Sequence, residues 1–159
     1  MPQTLNFTVN GKPFHIELET DQTLLHVLRN RLGLKATRFG CGQEDCGACM
    51  VLVDGDPKFS CTLQVGDCVG RNITTAESLA GKTPHPLHEA FLAEQAGQCG
   101  YCLSGILISV AALLNRRKDP TQAEIIEALE PHLCRCGAHV RMLRAVERAA
   151  AALREGAAA

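Results

Sequence analysis

Residues 40–55 read GCGQEDCGACMVLVDG. Cys41, Cys46 and Cys49 stand as C-x4-C-x2-C, and Cys61 follows after eleven residues. Two irons bridged by two sulfides need four thiolates, two per iron, and this spacing is one arrangement that supplies them. A tight loop carries three, and a later strand brings the fourth. Gly40, Gly42 and Gly47 let the backbone pass close to such a cluster and turn N–H groups toward its sulfurs. The bland reading is four unrelated buried cysteines. The chemical rival is zinc, which more often takes two C-x2-C pairs or a mixed Cys/His set. After the loop, residues 50–53 read as a strand and Asp54-Gly55 as a turn.

Upstream of the loop, LNFTV at 5–9 and FHIEL at 14–18 alternate as strands do, and Asn10-Gly11 supplies a type I′ hairpin turn. Leu24, Leu25, Leu28 and Leu32 fall on one face of a helix, with Thr20 or Asp21 as its N-cap and Gly33 closing it. Downstream, GRNITT at 70–75 reads as a last short strand. The pattern then turns helical, and the boundary between halves is placed at Thr75, giving domains 1–75 and 76–159. Helices are expected over 85–97, 104–118, 119–130 (Asp119-Pro120 as N-cap and N1) and 140–156, with a frayed tail. Arg116–Lys118 complement the dipole at one helix end.

The helical half holds a second cysteine set. QCGYCLSG at 98–105 contains Cys99 and Cys102 as C-x2-C, and LCRCGAHVRML at 133–143 contains Cys134 and Cys136 as C-x-C. Each pair precedes a helix, whose free N–H groups and dipole favour thiolates. Spacing alone leaves an iron–sulfur cluster, zinc and disulfides all open.

The chain resembles the small iron–sulfur subunits of the molybdenum hydroxylases, the xanthine oxidase family. The resemblance rests on GCGQEDCGACMVLVDG, GRNITTAESLAG, QCGYCLSG and LCRCGAHVRML in that order. The wording is most similar to small subunits of nicotinate dehydrogenases and isoquinoline 1-oxidoreductases. The resemblance implies an α+β chain: an N-terminal β-grasp, plant-type ferredoxin domain, then an all-α four-helix domain. It implies two [2Fe–2S] clusters, a distal one on Cys41, Cys46, Cys49 and Cys61 and a proximal one on Cys99, Cys102, Cys134 and Cys136. It also implies a large subunit that holds molybdopterin cytosine dinucleotide, and a relay of electrons from it to an FAD subunit or a cytochrome. Substrate oxidation, of an N-heteroaromatic or an aldehyde, would occur on that partner. Gln98 matches a position that contacts the pterin, and Cys136 matches a ligand between cluster and pterin. Glu44 stands where the family has Gly, Met50 where it has Thr, His132 where Asn is common and Ala138 where Thr is common. If position 44 needs positive φ, Glu costs about 1 kcal/mol there, and its charge opposes cluster reduction.

Composition fits this reading. The 159 residues include nine cysteines but no Trp and one Tyr, so the aromatic core is thin and metal staples compensate. A net charge of −1 points to neither nucleic acid nor an anionic membrane. No apolar run is long enough to span a bilayer, and the N-terminus lacks a secretory pattern. The expected compartment is the cytoplasm, or export in a folded complex whose partner carries the signal. Cys68 reads as a small buried hydrophobe, and the six histidines show no metal spacing. Two other classes compete: a free-standing two-cluster ferredoxin with a hydrophilic surface around Cys99, and a zinc-stabilised interaction module.

Overall fold

The computed structural model describes residues 3–18, 22–81 and 83–157. β1 (Gln3–Val9) and β2 (Lys12–Leu18) form the expected hairpin, with Asn10 and Gly11 both at positive φ as a type I′ turn requires. β3 (Met50–Val53) and β4 (Asp56–Phe59) form a second hairpin around Asp54-Gly55, and β5 (Asn72–Thr74) completes a mixed sheet of order β2-β1-β5-β3-β4. β1 and β5 run parallel, and every other pair is antiparallel. β4 is not expected from the sequence, because Pro57 lies inside it. An edge strand tolerates proline, and Pro57 faces Leu52 on the outermost strand.

All four residues of β3 are buried, which explains its unbroken apolar run. Val51 and Val53 join Leu5, Phe7, Val9 and Ile73 in the core of the N-terminal half. Met50 and Leu52 face the other way, onto Ile108 and Ala112 of a helix from the C-terminal half. One strand thus seals both layers.

The first helix is shorter than its leucine pattern suggests. α1 spans Leu24–His26 and continues as a π-helix over Val27–Arg31, where Leu32 N–H donates to the Val27 carbonyl five residues back at 3.1 Å. Thr20 and Asp21 lie outside the described residues. The observed cap is Thr23, whose hydroxyl accepts from His26 N–H at 3.3 Å. Leu25 packs against Cys49 and Cys61, and its N–H donates to the Ser60 carbonyl.

The C-terminal half contains α2 (Pro86–Ala93), α3 (Leu103–Arg116), α4 (Gln122–Leu129) and α5 (His139–Ala157) among the described residues. Their shared core includes Leu87, Phe91, Ile106, Ile125, Met142 and Val146. α2 stops at Ala93 rather than Gly97, because Gln95 turns the chain at a φ of 49°. The N-cap of α4 is Thr121, not Asp119. Thr121 Oγ1 accepts from Glu124 N–H, and the Glu124 carboxylate accepts from Thr121 N–H, a closed capping box. Of the basic run, Arg116 bridges to Asp56 at 2.5 Å and Arg117 to Glu124 at 3.1 Å. These are exposed ties between elements, worth little each. Cys68 is fully buried in the N-terminal core, as expected. No described helix is long and apolar enough to cross a membrane.

α2 has an unusual cap. His85 Nδ1 accepts from Leu87 N–H at 3.2 Å, which only an unprotonated nitrogen does. Burial, with the nearby His88 and Lys118 adding, holds the His85 imidazole below its ordinary range. The unfolded chain therefore takes up this proton first, and stability falls as pH drops below about 6.5. His85→Asn retains a good cap that does not titrate. Melting curves from pH 8 to 5 are expected to show wild type losing stability relative to His85→Asn. Parallel curves would refute the titrating cap.

Candidate metal centres

The Gly40–Cys49 loop runs from the region after α1 to the start of β3, and Cys61 follows β4. Cys41 and Cys46 meet thiol to thiol, and Cys41 N–H also points at Cys46 Sγ from 3.3 Å. Cys41 Sγ accepts from Gln43 N–H at 3.5 Å and Asp45 N–H at 3.2 Å. Gln43 N–H chiefly, against some desolvation and with help from Asp45 and Cys46, pulls Cys41 down to about 7. Cys49 meets Cys61 in the interior, and burial pushes Cys49 up to about 12. The loop wraps tightly, since a Cβ on Gly40 would lie 2.5 Å from Cys46 Sγ. Glu44 does adopt positive φ, at 68°, and its carboxylate accepts a hydrogen bond from Thr62 Oγ1, next to Cys61.

The second set forms the same pattern. Cys99 meets Cys136, and Cys102 meets Cys134. Cys99 is lowered first by Tyr101 N–H and then by the Cys136 thiol. Cys134 is also lowered. Burial opposes this, but N–H groups of Ala138, Cys136 and Gly137 and the Cys102 thiol outweigh it. Cys102 sits at the mouth of α3, and burial pushes it up to about 12. Gln98 is exposed beside Cys99.

The two sets are neighbours. Cys41, Cys46, Cys99, Cys102 and Cys134 all line one cavity of about 220 Å³, together with Tyr101 and Leu133. Leu133 N–H donates to the Cys46 carbonyl at 3.2 Å, and Tyr101 hydroxyl donates to the Phe39 carbonyl. Arg38 lies 5.1 Å over the Tyr101 ring. No sequence pattern signals these ties. His132, noted from sequence only as a departure, is buried at 3% exposure. Its Nε2 lies 2.7 Å from Ser109 Oγ. Burial pushes its ring down to about 4, against a weak opposing effect of the Gly47 backbone, so it is neutral at pH 7.

The thiols discriminate between metals by how they meet. Mononuclear zinc needs four donors around one point. The eight cysteines instead meet two by two, which is what a binuclear cluster with two thiolates per iron requires. The first set holds one lowered thiol, Cys41, and one raised by burial, Cys49; the second holds two lowered, Cys99 and Cys134, and one raised, Cys102. A metal binds thiolates, so loading releases protons. The residues present fit two [2Fe–2S] clusters.

Comparison with known proteins agrees. Residues 7–71 match the 2Fe-2S iron-sulfur cluster binding domain, and residues 75–147 match the [2Fe-2S] binding domain. A nicotinate dehydrogenase subunit of Pseudomonas putida is 46% identical over 94% of this chain and 96% of its own length. The alpha subunit of isoquinoline 1-oxidoreductase from Brevundimonas diminuta is 42% identical over 92% of this chain and 97% of its own. The crystal structure of quinoline 2-oxidoreductase from Pseudomonas putida 86 superposes with a TM-score of 0.90 at 33% identity, covering 98% of each chain. The order of the two domains, the paired thiols and this full-length similarity lead to one conclusion: the chain belongs to the small [2Fe–2S] subunits of the molybdenum hydroxylases, and its role is electron transfer within such an oxidoreductase.

Proposed function

We propose that residues 1–75 and 76–159 act as two relay stations, with Cys41, Cys46, Cys49 and Cys61 holding the distal cluster and Cys99, Cys102, Cys134 and Cys136 the proximal one. When bound, each cluster supplies one-electron redox chemistry whose potential is tuned by burial, hydrogen bonds to sulfur and nearby charge. The protein's own contribution is to hold four thiolates per site, to aim N–H groups at them and to keep the two loops in contact. The observation that carries this reading is that thiols of both sets, Cys41 and Cys46 of the first and Cys99, Cys102 and Cys134 of the second, share the walls of one cavity.

The partner is a large subunit that holds molybdopterin cytosine dinucleotide and hydroxylates an N-heteroaromatic, as the names of the relatives suggest; an aldehyde is the second choice. Gln98, exposed beside Cys99, is the residue offered to the pterin, and Cys136, whose thiol meets Cys99, is the ligand between cluster and pterin. An FAD subunit or a cytochrome takes the electrons onward, and the complex works in the cytoplasm. A free-standing ferredoxin is the weaker reading. It calls for a hydrophilic surface near Cys99, whereas Tyr101, Leu133, Phe39 and Val140 are 47–63% exposed around these loops.

Metal and sulfide analysis of the purified complex tests the assignment. It is expected to give about four irons and four acid-labile sulfides per chain, with two rhombic electron spin resonance signals on reduction. A colourless zinc protein would overturn it, as would purification of the chain without a large partner.

Glu44 gives a directional check. Its carboxylate beside the distal loop adds negative charge where reduction adds more. Glu44→Gln keeps a hydrogen-bond acceptor for Thr62 and removes the charge. The distal midpoint potential is expected to rise, and by less at high salt because the side chain is exposed. A redox titration followed by spin resonance reads this, and an unchanged or lower potential contradicts it.

A further inference from the structure

The contact between the two cysteine loops is built around one side chain. His132 precedes Leu133, whose N–H donates to the Cys46 carbonyl. The Nδ1–Cε1 edge of the His132 ring lies against Gly47, where a Cβ would sit 2.2 Å from Nδ1 and 2.6 Å from the Pro131 carbonyl. The opposite edge of the ring is held by α3 through Ser109 Oγ. Gly105, one turn earlier on α3, admits the Gly47 carbonyl into the space a side chain would fill. Three segments therefore close on one ring: the first cysteine loop, the helix that starts at Cys102, and the stretch leading to Cys134. Nδ1 makes no hydrogen bond of normal geometry, and the ring edge fills the space beside Gly47 that a side chain would take.

We infer that His132 is a positioning residue that sets the separation of the two cysteine sites, and so the electron exchange between them, by wedging Leu133 N–H onto the Cys46 carbonyl. This rests on the relay reading above. The wedge works through placement alone. Ser109 is the anchor: without it the ring is free to turn away from Gly47. A planar amide, matching the ring's shape beside Gly47, keeps part of the contact that a branched aliphatic side chain loses.

The test uses the full complex carrying His132→Leu, His132→Asn and Ser109→Ala. Three readouts apply: hydrogen exchange at the Leu133 amide, magnetic interaction between the two reduced centres, and iron content. In His132→Leu, the Leu133 amide is expected to exchange roughly tenfold faster, as loss of one local hydrogen bond implies. The magnetic interaction weakens while both centres still load, and electron exchange between them slows severalfold. Ser109→Ala moves the same readouts the same way by less, and His132→Asn recovers part of the loss. Unchanged amide exchange and unchanged coupling in a fully loaded His132→Leu overturn the inference. If His132→Leu fails to fold, Ser109→Ala decides it by the same measurements. A wild-type complex without two centres sinks the relay reading instead, and Leu133 exchange in that same preparation still decides whether His132 holds the loops together.

Discussion

Cys134→Ser is expected to erase one of the two spin resonance signals and leave the other intact. Cys134 meets Cys102, and its sulfur receives N–H groups from Ala138, Cys136 and Gly137 that favour the thiolate against burial. A serine hydroxyl in the same place ionises far less readily and is a harder donor, so that iron loses half of its protein ligands. The distal set shares no cysteine with the proximal set, and its thiols pair among themselves. In the assembled enzyme, substrate-driven reduction of the physiological acceptor is expected to fall by more than about 100-fold, beyond what losing a supporting residue costs a metal site. Iron content drops by half. Near-normal turnover with only the distal signal left would show that electrons bypass the helical half. Loss of both signals would show instead that the two sites assemble as one.

What the sequence made legible was what depends on local pattern. The period-two alternation of Leu5, Phe7 and Val9 and the Asn10-Gly11 and Asp54-Gly55 turns lie near in sequence and act near in space. Spacing grouped the cysteines into two sets, and each thiol pair seen in the structure falls within one of them. Spacing did not say which thiols meet, since Cys49 reaches Cys61 only after β3 and β4 have folded back on each other. Pro57 hid β4, because proline argues against a strand until the strand is known to be an edge. The caps differ for a similar reason: Asp119-Pro120 is a reasonable helix start, but Thr121 and Glu124 form a better one two residues on. The tie between the halves was legible only in part. Gly105 drew no reading from its local pattern, and nothing in its neighbourhood names Gly47 as the group that approaches.

That glycine carries the largest expected effect on stability. Replacing Gly with Ala inside a helix ordinarily gains about 1 kcal/mol. Gly156, near the end of α5, has nothing within 4 Å of the added carbon, so Gly156→Ala is expected to gain up to that amount. Gly105→Ala reverses the sign. Its Cβ would lie 2.0 Å from the Gly47 carbonyl oxygen and 3.0 Å from the carbonyl carbon. Both groups are backbone, so no rotamer change relieves the overlap, and α3 or the cysteine loop must move. α3 is fixed by Ile108 and Ala112 against β3, and the loop is fixed by Cys46 and Cys49 on either side of Gly47. Overpacking of this kind costs about 3 kcal/mol, which for a chain of this length lowers the melting temperature by roughly 6–12 °C. Movement of the loop also separates Cys46 from Leu133, so distal iron is expected to be lost before proximal iron. Differential scanning calorimetry with iron analysis on Gly105→Ala and Gly156→Ala together reads both signs. A Gly105→Ala protein as stable and as fully loaded as wild type would mean that the two halves do not close on each other at Gly47.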